Sequence, residues 1–139
     1  MRARLCTLAL AAVVLGCGDS SSPKSIAGSY PLVSVDGHSV PTIAIQETGY
    51  TLEVLSGNVT INANGTFADT YTIRETLNAT TFPPATIACN GTWTRSGNDL
   101  ILEETATNVC GDYGSATWDG NNTITIDWQS LGVPVVHRR

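Results

Sequence analysis

Cationic residues are scarce in this sequence of 139 residues. It contains 7 Lys and Arg against 12 Asp and Glu, for a formal net charge of −5. Because nucleic-acid binding depends on Lys and Arg that neutralise phosphates, an acidic chain of this kind is a poor nucleic-acid binder. The sequence also has no polybasic patch that would hold anionic lipid. The shortage of positive charge therefore argues against nucleic acid as a partner.

Residues that carry catalysis or bind metals are equally scarce. The two histidines, His38 and His137, lie beside a turn and near the C-terminus, where solvated surface positions are expected. A zinc site needs three or four ligands at recognisable spacings, and the sequence has none. It also lacks a Gly-x-Ser-x-Gly elbow, a phosphate loop and a glycine-rich dinucleotide turn. We therefore predict a non-enzymatic protein with no catalytic residue, no metal and no cofactor.

Long apolar runs are absent except at the N-terminus. There, residues 5–15 are mostly apolar, follow the basic start Met1–Arg4 and precede the small residue Gly16. A bilayer span needs about 20 apolar residues, so this run is too short for a permanent membrane helix. A basic start, a short apolar stretch and a small residue are typical of a secretory signal. We predict that residues 1–16 are this signal.

Val14-Leu15-Gly16-Cys17 resembles the bacterial lipobox. The resemblance implies that the Cys17 sulfur receives a diacylglyceryl group and that the signal is cut before it. In such lipoproteins an aspartate directly after the cysteine often retains the protein in the inner membrane. Gly18 occupies that position here, which favours the outer membrane. Residues 17–25 would then be a lipidated, Ser-rich tether, and residues 26–139 the folded domain. The predicted protein is anchored to the membrane of the cell envelope by lipid, because several acyl chains hold a protein firmly.

Four cysteines occur in the sequence, and two of them are available to the folded domain. Cys6 leaves with the signal and Cys17 is lipidated, so Cys89 and Cys110 remain. In an exported chain such a pair predicts one disulfide. The alternative, a redox or metal pair, lacks C-x-x-C spacing and a nearby histidine.

The rest of the chain has the pattern of strands and tight turns. Thr, Val and Ile dominate, Gly and Asn recur at short intervals, and no segment has a helical period. Alternation is clearest in residues 66–77, where Phe67 and Tyr71 share one face. Asp69 and Glu75 fall on this apolar side. Because burial of a carboxylate costs free energy, we expect these two side chains to be exposed at a strand end or a bulge. Eight or nine such strands predict an all-β antiparallel barrel or sandwich.

Four segments resemble bacterial lipocalin-like domains: residues 26–37, residues 55–67, Gly91-Thr92-Trp93 and residues 135–139. The resemblance implies an up-and-down barrel of about eight strands. It also implies that Tyr30 replaces the family's first-strand tryptophan and packs against Arg138 or Arg139. The glycine that begins the third segment, Gly91, is interpreted as the end of a turn.

Two functions remain open. The first is a carrier that binds a small apolar or amphipathic ligand inside the barrel. The second is an envelope protein-interaction or inhibitor module with a filled barrel core, whose active loops would be residues 78–84 and 109–114. The candidate ligand-lining residues, which equally suit a plain core, are Tyr30, Leu32, Phe67, Tyr71, Ile73, Trp93, Ile124, Ile126 and Trp128.

Overall fold

Antiparallel strands joined mostly by tight turns make up the folded domain, as the alternating pattern of the sequence predicts. The structure, a computed structural model, describes residues 24–105 and 113–139. Within these ranges we find no helix with the length and apolar character needed to cross a bilayer. The strands are Gly28–Val35 (β1), His38–Ser39 (β2), Thr42–Glu47 (β3), Tyr50–Ile61 (β4), Thr66–Leu77 (β5), Thr80–Thr81 (β6), Ala85–Ser96 (β7), Asp99–Glu104 (β8), Tyr113–Trp118 (β9), Thr123–Trp128 (β10) and Val133–Arg138 (β11).

Eight of these strands close into an antiparallel barrel. Strands β4, β5, β7, β8, β9, β10 and β11 pair in sequence order, and β1 joins the two ends of the series. One edge of β1 pairs with β4, with Gly28 opposite Ile61, and the other pairs with β11, with Leu32 opposite His137. Each of the eight strands therefore has a hydrogen-bonded neighbour on both of its edges. The predicted all-β, up-and-down barrel is confirmed.

The remaining strands extend one side of the barrel. Strand β3 pairs with the first half of β4, and β6 pairs with the end of β5, beyond the point where β7 begins opposite Ile73. We call this projection the finger: β3, residues 50–54, residues 73–77 and β6. The predicted loop at 78–84 is in part a tight hairpin, because Asn78 and Ala79 both adopt the positive φ angles (46° and 67°) that a two-residue turn requires.

Side chains of the barrel itself fill its interior. At eight inward positions the residue has an exposed fraction of 0%, so not even a water-sized sphere fits against it. Such close packing is expected of a small barrel whose inward residues are large. The eight residues are Tyr30, Val54, Val59, Asp69, Ile124, Ile126, Val135 and His137.

Gly91 lies within β7 and does not end a turn. A Cβ atom at this position would lie 2.0 Å from the backbone oxygen of Glu103 and 2.7 Å from a ring carbon of Phe67. Glycine is therefore required because β7, β8 and the Phe67 ring approach each other closely here. The interpretation of Gly91 as a turn residue was wrong, because the close approach arises between strands and not in a loop.

The two ends of the barrel differ. The end formed by the turns at 62–65, 97–98 and 119–122, which we call the closed end, is covered by Tyr30 with the guanidinium of Arg139 4.8 Å from its ring centre. Arg139 also donates to the carbonyl oxygens of Ala27 (2.9 Å) and Ser25 (2.7 Å). The predicted packing of a terminal arginine on Tyr30 is confirmed, with Arg139 as the cation. The opposite end, with the turns at 36–37, 48–49, 78–79 and 129–132, is the open end and carries the finger.

Candidate functional site

The predicted ligand-lining residues lie together in the barrel core. Eight of the nine are buried, with exposed fractions of 8% or less: Tyr30, Leu32, Phe67, Tyr71, Ile73, Ile124, Ile126 and Trp128. The ninth, Trp93, is partly buried, and its indole N–H donates to the carbonyl oxygen of Asn62 over 2.9 Å. The structure thus brings these side chains into contact with each other. That arrangement suits a core, and their role as a ligand lining stays a prediction.

Asp69 is buried at the centre of this core. It points inward between Phe67 and Tyr71 because β5 alternates, and the expectation of strand-end exposure was wrong for this residue. The hydroxyl of Tyr113 donates to its Oδ2 over 2.9 Å, whereas its Oδ1 has no hydrogen-bond partner among the described residues. Burial raises the pKa of Asp69 to about 7, against the opposing effect of the Tyr113 hydrogen bond. Glu75, in contrast, is exposed near the strand end as expected.

His137 is also buried, with an exposed fraction of 0%. Its Nδ1 lies 3.1 Å from the carbonyl oxygen of Tyr30, which can only accept, so Nδ1 carries the proton. Its Nε2 lies 3.2 Å from the Tyr71 hydroxyl, which therefore donates to it. Burial lowers the pKa of His137 to about 4, so the ring is neutral. The expected solvated position was wrong for His137, because β11 pairs on both sides and is not frayed; His38 is exposed as expected.

Aromatic rings enclose these two polar groups. Trp128 stacks on Tyr71 with 4.3 Å between the ring centres, and Phe67 contacts Tyr113 edge to face at 5.8 Å. Burial raises the pKa of both tyrosines, so their hydroxyls stay protonated and act as donors. Near pH 6 both Asp69 and His137 are therefore neutral. Solvent does not reach Asp69, Tyr71 or His137. These contacts are those of a hydrogen-bonded core.

The inner side of the finger presents apolar and acidic groups to solvent. Glu75 and Leu77 continue the inward face of β5, with Tyr50 opposite Leu77 and Glu47 opposite Tyr50. The amide of Phe82 donates to the carbonyl oxygen of Glu75, which places Phe82 on the same side. Leu77 is 48% exposed and Phe82 46% exposed. We call Glu47, Tyr50, Glu75, Leu77 and Phe82 the finger face.

The finger face is acidic because, among the described residues, no cation is paired with its carboxylates. The hydroxyl of Tyr50 donates to Oε1 of Glu75 over 2.8 Å, and Glu47 is exposed at the end of β3. The finger's arginine, Arg74, lies on the opposite side and binds Oε2 of Glu53 at 2.7 and 2.9 Å. The finger face thus combines two uncompensated negative charges with exposed aromatic and aliphatic groups.

A shallow depression of about 480 Å³ lies on the rim of the open end, outside the filled interior. It is formed where β10 turns into β11. Its lining residues are Asp127, Trp128, Gln129, Gly132, Val133 and Pro134.

Several predicted sites lie wholly or partly outside the described residues. Cys17 precedes them, and Cys110 lies in the undescribed segment 106–112, which contains most of the predicted loop 109–114. Cys89 is buried on the inward face of β7, opposite Asp69. The lipidation and the disulfide therefore stay predictions. Within the described ranges, no group of three or more His, Cys, Asp or Glu is arranged to hold a metal ion.

Comparison with known proteins adds no family to this description. No protein-family model matches the chain, and no curated protein matches it.

Proposed function

We propose that this chain is an exported lipoprotein with a lipocalin-like barrel, anchored through Cys17, and that it binds a protein partner through the finger face. The fold that supports the lipocalin likeness is the closed eight-stranded barrel with Arg139 packed on Tyr30 at one end. The signal and lipobox pattern of residues 1–17 supports export and anchoring. The function is binding and involves no catalysis.

The single observation that carries this proposal is the exposure of Leu77 and Phe82 beside a filled barrel. A carrier needs an internal volume, whereas the predicted lining residues Tyr30, Ile124 and Ile126 leave no space for a water molecule against them. Large apolar side chains that are half exposed on one continuous face are typical of protein-interaction surfaces. The filled-barrel alternative therefore has more support than the carrier.

The partner that fits the finger face is a basic protein surface with apolar contacts. Glu47 and Glu75 would attract cations, and complementary charge guides encounter and selects partners. Tyr50, Leu77 and Phe82 would supply the apolar centre, where aromatic residues contribute most of the binding energy. The finger also reaches beyond β7, so a partner can approach it without meeting the barrel wall.

Site-specific photocrosslinking in the native bacterium tests this proposal. A photoreactive amino acid at position 82 of the full-length protein should give one discrete adduct with a basic protein. Replacing Glu47 and Glu75 with lysine should suppress that adduct. The matched control is position 101, because Ile101 is also apolar and is 57% exposed, but lies on β8 away from the finger.

Two results would contradict the proposal. One is equal crosslinking at positions 82 and 101, which would indicate random encounters. The other is no adduct at position 82 together with saturable binding of a fluorescent fatty-acid analogue that unlabelled fatty acid displaces. The second result would restore the carrier function, with the rim depression beside Trp128 as the place to look for the ligand.

A further inference from the structure

The fold gathers positive charge at the closed end, although the sequence has no run of cations. Lys24 begins the described chain, Arg95 is near the end of β7, and Arg138 and Arg139 follow each other at the C-terminus. These are all the cationic side chains after Cys17 except Arg74, which is paired with Glu53 on the finger. From these residues we infer that, in the anchored protein, the closed end rests on anionic lipid headgroups and the finger face points away from the bilayer.

Contacts with the turns and strand ends of the closed end hold three of these cations in place. Lys24 donates to the side-chain oxygen of Asn121, and Arg139 donates to the backbone oxygen of the same residue over 3.3 Å. The guanidinium of Arg95 lies 4.5 Å from the ring centre of Trp118, and it donates to the carbonyl oxygen of Gly97. Each of these contacts lies at the closed end. Hydrogen bonds to neutral oxygens leave the positive charges uncompensated.

Among residues 24–105 and 113–139, the acidic groups at the closed end are fewer than the cations. They are Asp99 and Asp119, and Oδ1 of Asp119 accepts backbone N–H groups from Asn121, Asn122 and Thr123 at 2.8 to 2.9 Å. These backbone hydrogen bonds lower the pKa of Asp119, so it stays charged. In the described part of the closed end, four cations against two carboxylates leave a positive surplus, which persists even with a terminal carboxylate on Arg139.

The open end has the opposite charge. Asp36, Glu47, Glu75 and Asp127 are exposed there, and the described part of the open end holds no unpaired Lys or Arg. An anionic bilayer would therefore attract one end of the barrel and repel the other. The asymmetry favours an upright orientation over one in which the barrel lies on its side.

The length of the tether excludes the inverted orientation. The anchor implied at Cys17 is seven residues before Lys24, a reach of about 24 Å in extended chain. Strand β5 has 12 residues and leads from the closed end to the finger; at the usual tilt of a barrel strand it spans a height of roughly 30 Å. With the finger on the bilayer, Lys24 would lie beyond the reach of its tether. The finger face is thus free to bind the partner of the proposed function. This inference rests on the lipid anchor that the proposed function includes.

Paramagnetic relaxation in lipid nanodiscs tests the orientation. The lipidated protein is placed in discs of phosphatidylcholine with or without phosphatidylglycerol, each containing a lipid with a nitroxide on its headgroup. In anionic discs we expect broadening of the Gly97 and Gly120 amides and none at Gly49 or Asn78. In neutral discs or at high salt the difference should shrink as tilted orientations become populated.

Charge variants make the test specific. At a surface potential of about −30 mV each cation favours the upright orientation about threefold, so Arg138→Gln should lower the ratio of upright to tilted protein about threefold. Adding Lys24→Gln should lower it about tenfold in total. Arg74→Gln removes the same charge from the finger and should leave the closed end as broadened as in the wild type.

The possible results distinguish a failure of the proposed orientation from a failure of the proposed lipid anchor. An orientation independent of phosphatidylglycerol, of salt and of Arg138→Gln would overturn the inference and leave the tether alone as the cause. Mass spectrometry that finds no acyl group would refute the anchor itself. The same relaxation experiment then uses a histidine tag placed before Ser20 and a nickel-chelating lipid, and its result supports or overturns the orientation in the same way.

Discussion

Replacing Asp69 with asparagine should make the barrel sensitive to mild acid, because it removes one of two opposing proton equilibria in the core. Burial raises the pKa of Asp69 from 3.8 to about 7. Between these values the folded state binds more protons than the unfolded state, so the free energy of unfolding falls as pH rises. The slope is about 1.4 kcal/mol per pH unit, and the whole effect is roughly 4 kcal/mol.

His137 acts in the opposite direction. Burial lowers its pKa from 6.5 to about 4, so the unfolded state binds more protons within this range. The free energy of unfolding therefore falls as pH decreases from 6.5 through 4, again by about 1.4 kcal/mol per unit. Both residues have an exposed fraction of 0%, so solvent screens neither effect. Between pH 4 and 6.5 the two slopes cancel, and the pair contributes no net pH dependence.

Urea unfolding followed by tryptophan fluorescence at a series of pH values measures these slopes. The difference between variant and wild type cancels the contributions of all other groups. For Asp69→Asn the stability relative to wild type should rise with pH between 4 and 6.5, and for His137→Gln it should fall over the same range. Curves of Asp69→Asn that run parallel to wild type across this range would refute the assignment of a raised pKa to the buried carboxyl.

Three further variants test the packing of the barrel. Gly91→Ala should lower the free energy of unfolding by about 2 kcal/mol or more, because the new Cβ would overlap a backbone oxygen of β8; unchanged urea midpoints would contradict the close approach. Arg139→Ala should lower the free energy of unfolding by about 1 kcal/mol because the contact with the Tyr30 ring is lost, and by more because the hydrogen bonds to backbone carbonyl oxygens are lost too. As the control, Arg138→Ala should change the free energy of unfolding by less than about 0.5 kcal/mol. Tyr113→Phe removes the donor to Asp69 and should raise the pKa of that carboxyl further, as a carbon-13 NMR titration would detect; a lowered pKa would exclude the hydrogen bond.

The barrel was predictable because its signals are local. Turn residues and period-two alternation define successive strands, and a meander of antiparallel neighbours follows from short connections. The resemblance to lipocalin-like domains added one long-range contact, between the first strand and the C-terminus, and Arg139 on Tyr30 bears it out. The hairpin between β5 and β6 was missed because Asn-Ala is a weaker turn signal than Asn-Gly.

The buried polar groups were predicted wrongly for a reason that is physical and not local. Alternation places Asp69 inside correctly, whereas the free-energy cost of a buried charge argues for exposure. A neutral carboxylic acid avoids most of that cost, and its donor, Tyr113, is 44 residues away in the sequence. His137 was misplaced for a similar reason, since its burial depends on pairing of β11 with both β1 and β10. Neither partner is visible in the sequence around these residues.

The finger separates what stability requires from what binding requires. The barrel closes through β1, β4 and β11 without any contribution from the tips of β5 and β6. Leu77 and Phe82 keep about half of their surface in water, so they gain only part of the free energy that burial of such side chains provides. Folding therefore gives little reason for large apolar residues at these positions, and a partner that covers them would supply the missing burial. The same reasoning applies to Glu75, whose carboxylate points along the inward face of β5 and yet meets solvent instead of the core.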